Sequence, residues 1–158
     1  MTDREELEQR VEVERERFVL FKVGRTRCAL GMDVVRQVIR PSRITRVPRV
    51  PHYILGVANL RGRILPVVDL CRRLGLRSAT SSKPRVVVTQ VDEAMVGYLV
   101  SEVMGTAFYA PGEIQPPLAL EGSISLELVR GVVAAGGRNI ILLLNLRAMI
   151  AADRAELA

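Results

Sequence analysis

Between Gly56 and Leu74 the chain reads GVANLRGRILPVVDLCRRL, and a diverged copy, GVVAAGGRNIILLLNLRAMI, stands at 131–150. Each copy has two apolar runs around a turn, then Asp69 or Asn145 placed to cap a helix. Earlier hairpins correspond as well. Phe18–Val23 turns at Gly24-Arg25 into Thr26–Leu30, and Val86–Val91 turns at Asp92-Glu93 into Ala94–Val100. The chain therefore reads as two similar units of four or five short strands, a spacing that suggests small barrels. A unit of ~70 residues is marginal alone, so the two are expected to share one core.

Between the hairpins, Asp33 precedes Val34, Val35, Val38 and Ile39 and is placed to cap a short helix. Pro48 and Pro51 mark a rigid connector. Pro66 suggests that its strand is an edge or carries a bulge. Gly75 closes the helix that Asp69 opens, and RSATSSK at 77–83 reads as a linker. Residues 105–125, rich in Gly and Pro, read as loops and short extended pieces. The last helix spans Leu146–Ala152. The expected organisation is a charged arm at 1–16, a body at 17–152 whose two halves divide near 77–84, and a tail at 153–158. In the arm, Leu7 and Val11 give only a thin apolar stripe, so a solvated leader is expected.

The net charge of +6 is unevenly spread. Residues 1–17 carry seven acids and four arginines, whereas 22–73 carry twelve basic side chains against Asp33 and Asp69. A basic face can serve nucleic acid. Here, however, the basic residues are scattered among apolar ones without interleaved aromatics, which favours a negatively charged protein partner. No apolar run approaches the ~20 residues of a membrane span, and the N-terminus lacks the apolar segment of a secretory signal. Cys28 and Cys71 stand apart and the chain has a single His, so neither a zinc site nor another cofactor is expected. Buried free thiols fit a reducing cytoplasm. Asp33 and Asp69 read as caps, no serine stands in a Gly-x-Ser-x-Gly context, and no phosphate loop occurs. A binding module fits better than an enzyme with an unrecognised site or a nucleic-acid-binding barrel.

From Val47-Pro48-Arg49-Val50-Pro51 through Asn59-Leu60-Arg61-Gly62 to Pro66-Val67-Val68-Asp69-Leu70, the sequence resembles the CheW-like family of bacterial chemotaxis adaptors. Phe18-Val-Leu-Phe and Val35-Arg36-Gln37-Val38 extend the resemblance over about 17–152. It implies a mainly β fold of two SH3-like five-stranded β-barrel subdomains sharing a hydrophobic core, with short helices including a C-terminal one. It also implies a non-catalytic cytoplasmic adaptor without cofactors. Such an adaptor bridges a chemoreceptor's cytoplasmic hairpin tip and the regulatory domain of a CheA-type histidine kinase, and assembles with the kinase in rings. By the same resemblance Arg61 is linked to partner coupling, Gly56, Asn59, Leu60 and Gly62 are its frame, and Val35 and Val38 border a receptor groove. Gln37, Ser101 and Asn145 replace acids common in the family, which leaves open a paralogue serving pilus motility or development.

Overall fold

The turn residues place the hairpins in register. A computed structural model describes residues 3–6, 14–117, 124–137 and 139–156. Strands β1 (Glu16–Val23) and β2 (Thr26–Gly31) pair around Gly24-Arg25. After β3 (Val35–Ile39) and the connector, β4 (Ile54–Leu60) and β5 (Arg63–Asp69) pair around Arg61-Gly62 and feed helix α1 (Leu70–Arg73). Next, β6 (Arg85–Val91) pairs with β7 (Ala94–Val100). Strands β8 (Glu102–Tyr109) and the two-residue β9 (Ile114–Gln115) precede β10 (Val129–Ala134) and β11 (Ile140–Leu144). These last two pair and lead into helix α2 (Leu146–Ala155). Both helices start at the expected caps. Asp69 accepts from the Cys71 and Arg72 N–H groups at 3.0 and 3.3 Å, and Asn145 accepts from the Ala148 N–H at 3.2 Å.

The strands form two sheets, ordered β8-β1-β2-β11-β10-β9 and β3-β6-β7-β5-β4. The repeat units are exchanged between them. The first hairpin, β1-β2, joins the strands of the second unit, and β6-β7 joins those of the first. Two of the junctions are short parallel ladders, β2 on β11 over Arg27–Ala29 and β7 on β5 over Gly97–Leu99, and the other two are the antiparallel pairings of β1 with β8 and of β3 with β6. The segment 77–84 therefore does not divide the sheets as expected, because it links β5 to β6 inside one of them. The chain changes sheets after β2 and after β7 instead.

The main strands are buried on both faces. Along β1, Val19, Phe21 and Val23 enter a core common to both sheets, while Phe18 enters a private cluster with Ala29, Val133, Ile141 and Leu143. Strand β6 alternates likewise, with Val87 in the common core and Val86 and Val88 packed with Leu65. Each sheet thus wraps a small core of its own and lays its other face on the shared one. That is why these strands read as continuous apolar runs. The shared core also takes Leu70, Leu74, Leu146, Met149 and Ile150 from the helices and their ends.

Four local expectations are corrected. Residues 35–39 form a strand, not a helix, since a Val/Ile-rich stretch beside β6 gains a ladder there; Asp33 lies within a 3-10 turn that has no side-chain cap. Residues 102–109 form an eight-residue strand, with Gly105 at φ +131° beside a bulge in its pairing to β1. Pro66 lies in an interior strand, so the edge alternative fails, while the pairing of that strand with β4 does carry a bulge, between Ile54 and Gly56. The partner of Pro66, Val57, directs both backbone groups to Thr45, at 2.8 Å each, so Pro66 occupies a non-hydrogen-bonded pair in which no N–H is required. Finally, Asp153 belongs to α2 and not to a tail. In the arm, residues 3–6 are helical and Glu16 already belongs to β1; the Leu7–Val11 stripe lies outside the described residues.

Asp153 is fully buried. Its Oδ1 lies 2.6 Å from Arg73 Nε, and its Oδ2 accepts from the Tyr98 hydroxyl at 2.8 Å. The Arg73 guanidinium also stacks 4.9 Å from the Tyr53 ring centroid. These contacts tie α2 to α1 and β7. A buried pair with hydrogen bonds satisfying its remaining polar atoms fixes geometry, and removing one partner leaves the other charge stranded. Asp153→Ala is expected to lower stability by about 3 kcal/mol in urea unfolding, and Tyr98→Phe by about 1.5 kcal/mol. Wild-type stability in Asp153→Ala would contradict this role. Gly56 has φ +143°, and a Cβ there would collide with the Thr45 carbonyl. Gly56→Ala should destabilise by more than 1 kcal/mol in the same assay, because both the backbone strain and the clash oppose it.

Candidate functional site

The tip of the β4–β5 hairpin is built by its own turn chemistry. Arg61 and Gly62 have φ of +50° and +83°. Two positive φ values in a two-residue loop mark a primed turn, whose twist matches the flanking strands. Asn59 Oδ1 accepts the Gly62 N–H at 2.9 Å and fixes the loop from one side. Leu60 packs beneath it on the Leu65–Val86–Val88 cluster. Asn59, Leu60 and Gly62 therefore hold the tip, as a frame would.

Arg61 is the residue that local structure does not require. Its side chain is exposed, and an L-residue in the left-handed region costs about 1 kcal/mol compared with Gly or Asn. An arginine retained at an unfavourable backbone position on a rigid tip points to a role beyond folding. Ile64, 72% exposed just past the turn, adds an apolar surface that sequence reasoning missed. Its position directly after the turn, ahead of the buried run that starts at Leu65, is the signal that could have found it.

The other expected site residues separate. Gly56 is buried at a register shift in β4, where the connector backbone presses on it. Val35 packs against the common core. Val38 is 39% exposed on β3, an edge strand. Its neighbour Ile39 packs on the same cluster as Leu60, so the end of β3 and the hairpin tip border one small core. Val38 is exposed at the end of β3, whereas Gly56 is buried and Val35 partly so. A second exposed apolar surface lies on the other sheet. Strand β8 is an edge that presents Met104 and Phe108, the latter 55% exposed with Arg17 over its ring at 5.6 Å.

At Gln37, Ser101 and Asn145, where the resemblance leads to an expectation of acids, neutral groups stand, and two of them accept backbone hydrogen bonds. Asn145 caps α2. Ser101 Oγ accepts the Gly24 N–H at 2.9 Å, and its own N–H donates to the Lys22 carbonyl at 2.9 Å. Ser81 Oγ donates to the Ser101 carbonyl. Ser101 thus joins the β1–β2 turn to the end of β7. Gln37 lies half-buried on β3.

The concave sites are poor in reactive groups. A surface cavity of about 700 Å3 is lined by Arg25, Thr26, Leu76, Arg77, Ser78 and Thr80, with no carboxylate, thiol or imidazole. A smaller one beside it includes Asp69 and Cys71. Asp69 is engaged in capping, and the Cys71 thiol donates to the Leu76 carbonyl at 3.3 Å. Burial, with a smaller contribution from the Asp69 charge, pushes the Cys71 thiol up. Burial pushes Cys28 up to about 12. Neither thiol is a nucleophile near neutral pH. Among the described residues, no cluster of three His, Cys, Asp or Glu side chains could hold a metal, and no helix is long and apolar enough to cross a membrane.

Comparison with known proteins agrees with this architecture. The model of the CheW-like domain matches residues 17–154. A chemotaxis protein CheW from Rhizobium meliloti is 35% identical over 125 residues, 78% of this chain and 81% of that protein. Protein FrzA from Myxococcus xanthus is 33% identical over 139 residues, 87% of this chain and 86% of its own length. Among solved structures, the scaffolding protein TtCheW from Thermoanaerobacter tengcongensis superposes with a TM-score of 0.77 at 26% identity, over 84% of this chain and 85% of its own. With its exchanged sheets, shared core and arginine-tipped hairpin, the chain belongs to the CheW-like family.

Proposed function

We propose that the protein is a non-catalytic adaptor that couples the cytoplasmic hairpin tip of a chemoreceptor to the regulatory domain of a CheA-type histidine kinase. The observation that carries this reading is the match of residues 17–154 to the CheW-like family, together with the fold it shares with a scaffolding protein. The surface chemistry supports it. The candidate faces are a hairpin tip and strand edges, whereas the two cavities described above hold no convergent acid–base groups.

A coupling protein needs two faces that can be occupied at once. The first is the Arg61 tip with Val38 and Ile64, proposed for the receptor. The second is the edge of β8 with Met104 and Phe108, on the other sheet and proposed for the kinase domain. An edge strand offers unpaired backbone groups, and apolar side chains beside it add selectivity. Contacts of this size are individually modest, and repetition in a ring gives the assembly its lifetime. The workplace would be the cytoplasmic face of a receptor array. The similarity to FrzA favours a second reading at the level of pathway: the same scaffold serving a motility or developmental system.

Arg61 provides the test. Arg61→Ala should weaken receptor or kinase co-purification about tenfold, since a central interface arginine commonly contributes 1–2 kcal/mol. Arg61→Gly should be at least as stable as wild type in thermal melting, because glycine removes the backbone strain, yet bind as poorly as Arg61→Ala. A wild-type protein that binds no receptor and no histidine kinase of its own cell would sink the adaptor reading. Full binding by Arg61→Ala would remove only the assignment of the tip.

A further inference from the structure

Residues 34–68 contain seven arginines and no Asp or Glu. All seven, Arg36, Arg40, Arg43, Arg46, Arg49, Arg61 and Arg63, are exposed. Arg36 Nε donates to the neutral Gln90 Oε1 at 3.1 Å, and among the described residues none of the seven forms an ion pair with an acid. Acids are available elsewhere. Arg73 and Arg130 are paired to Asp153 and Glu16, each at 2.6 Å. What sets this stretch apart is the run of seven exposed arginines with no acid among them.

The fold gathers part of it at one place. Thr45 and Val57 exchange both backbone hydrogen bonds, so the connector runs antiparallel to β4. Moving back from Thr45 through Arg43 to Arg40 follows β4 towards Arg61. The shared packing of Ile39 and Leu60 brings the end of β3 to the same hairpin end. Arg40, Arg43, Arg61 and Arg63 are thus gathered at one end of this sheet, near the exposed Val38 and Ile64. Like charges held together without partners oppose the folded state, and an oppositely charged partner relieves that repulsion.

We infer that this end of the sheet docks an acidic stretch of the receptor's cytoplasmic hairpin, with Arg40, Arg43 and Arg63 supplying charge complementarity around Arg61. The inference rests on the adaptor reading above and names the chemistry of one of its two partners. Arginines surrounding exposed aliphatic side chains are the composition of a protein interface. A nucleic-acid face would need rings for base stacking, and residues 34–68 offer no exposed Phe, Tyr or Trp. Complementary charge of this kind governs association rate and partner choice, and salt weakens it.

The test uses the full chain with the receptor hairpin fragment and the kinase regulatory domain as separate probes. The combined variant Arg40→Gln, Arg43→Gln, Arg63→Gln keeps Arg61, and thermal melting confirms that it folds. It is expected to bind the hairpin about tenfold more weakly, through three lost surface charge contacts. The loss of affinity between about 50 and about 300 mM salt should also be shallower than in wild type. Kinase-domain affinity should stay unchanged, as should hairpin binding by the control Arg25→Gln, Arg77→Gln. Wild-type affinity and salt dependence in the triple variant would overturn the inference and leave the adaptor intact. Loss of binding to a random DNA duplex with hairpin binding untouched would overturn it in favour of a nucleic-acid face. A wild type that bound neither protein probe would end the adaptor reading and this inference together.

Discussion

Four ladders hold the exchanged halves of the molecule together: the antiparallel pairings of β1 with β8 and of β3 with β6, and two three-residue parallel ones. Where β2 meets β11 and β7 meets β5, a hairpin of one repeat unit is joined to the last strands of the other. Without these junctions each unit would present unpaired edges and half of a core. With them, strands β1, β2, β5, β6, β7 and β11 bury side chains on both faces. The Arg73–Asp153–Tyr98 contacts act on the same arrangement, fastening the final helix to α1 and β7.

The local parts of this design were legible in the sequence because they rest on local chemistry. Gly24-Arg25, Arg61-Gly62 and Asp92-Glu93 mark turns, and Asp69 and Asn145 mark helix starts, whatever lies elsewhere in the chain. What could not be read depends on distant partners. The bulged strand at 102–109 looks like a loop until β1 supplies its ladder. The 35–39 segment has helical spacing until β6 claims its backbone. The exchange of hairpins leaves no local trace at all, since both units would show the same pattern of strands and turns if each had folded on itself. Asp153, an acid near the end of a mostly apolar helix, finds its partners only when Arg73 and Tyr98 arrive from other elements.

The functional residues divide along the same line. The glycines and Asn59 are legible as turn chemistry, and the structure keeps them there. Arg61 differs because its backbone conformation works against its side-chain type. The surface around it, including Ile64 and the arginines of the connector, is gathered at one end of the sheet only through the pairing of Thr45 with Val57 and the shared packing of Ile39 and Leu60. At Asn145 and Ser101 a neutral oxygen serves as the backbone acceptor, which adds no negative charge to the molecule.

The exchange also sets the order in which the chain can mature on the ribosome. Strands β3 to β7 are contiguous, so one sheet can close once β7 has emerged. The first hairpin emerges before them yet belongs to the sheet completed by β11. At roughly ten residues per second its apolar side chains, Phe18, Val19 and Phe21 among them, lack their final partners for on the order of ten seconds. Long-range pairing of this kind is slow to form and exposed to misassembly meanwhile. The first strand to be synthesised is thus among the last to be secured.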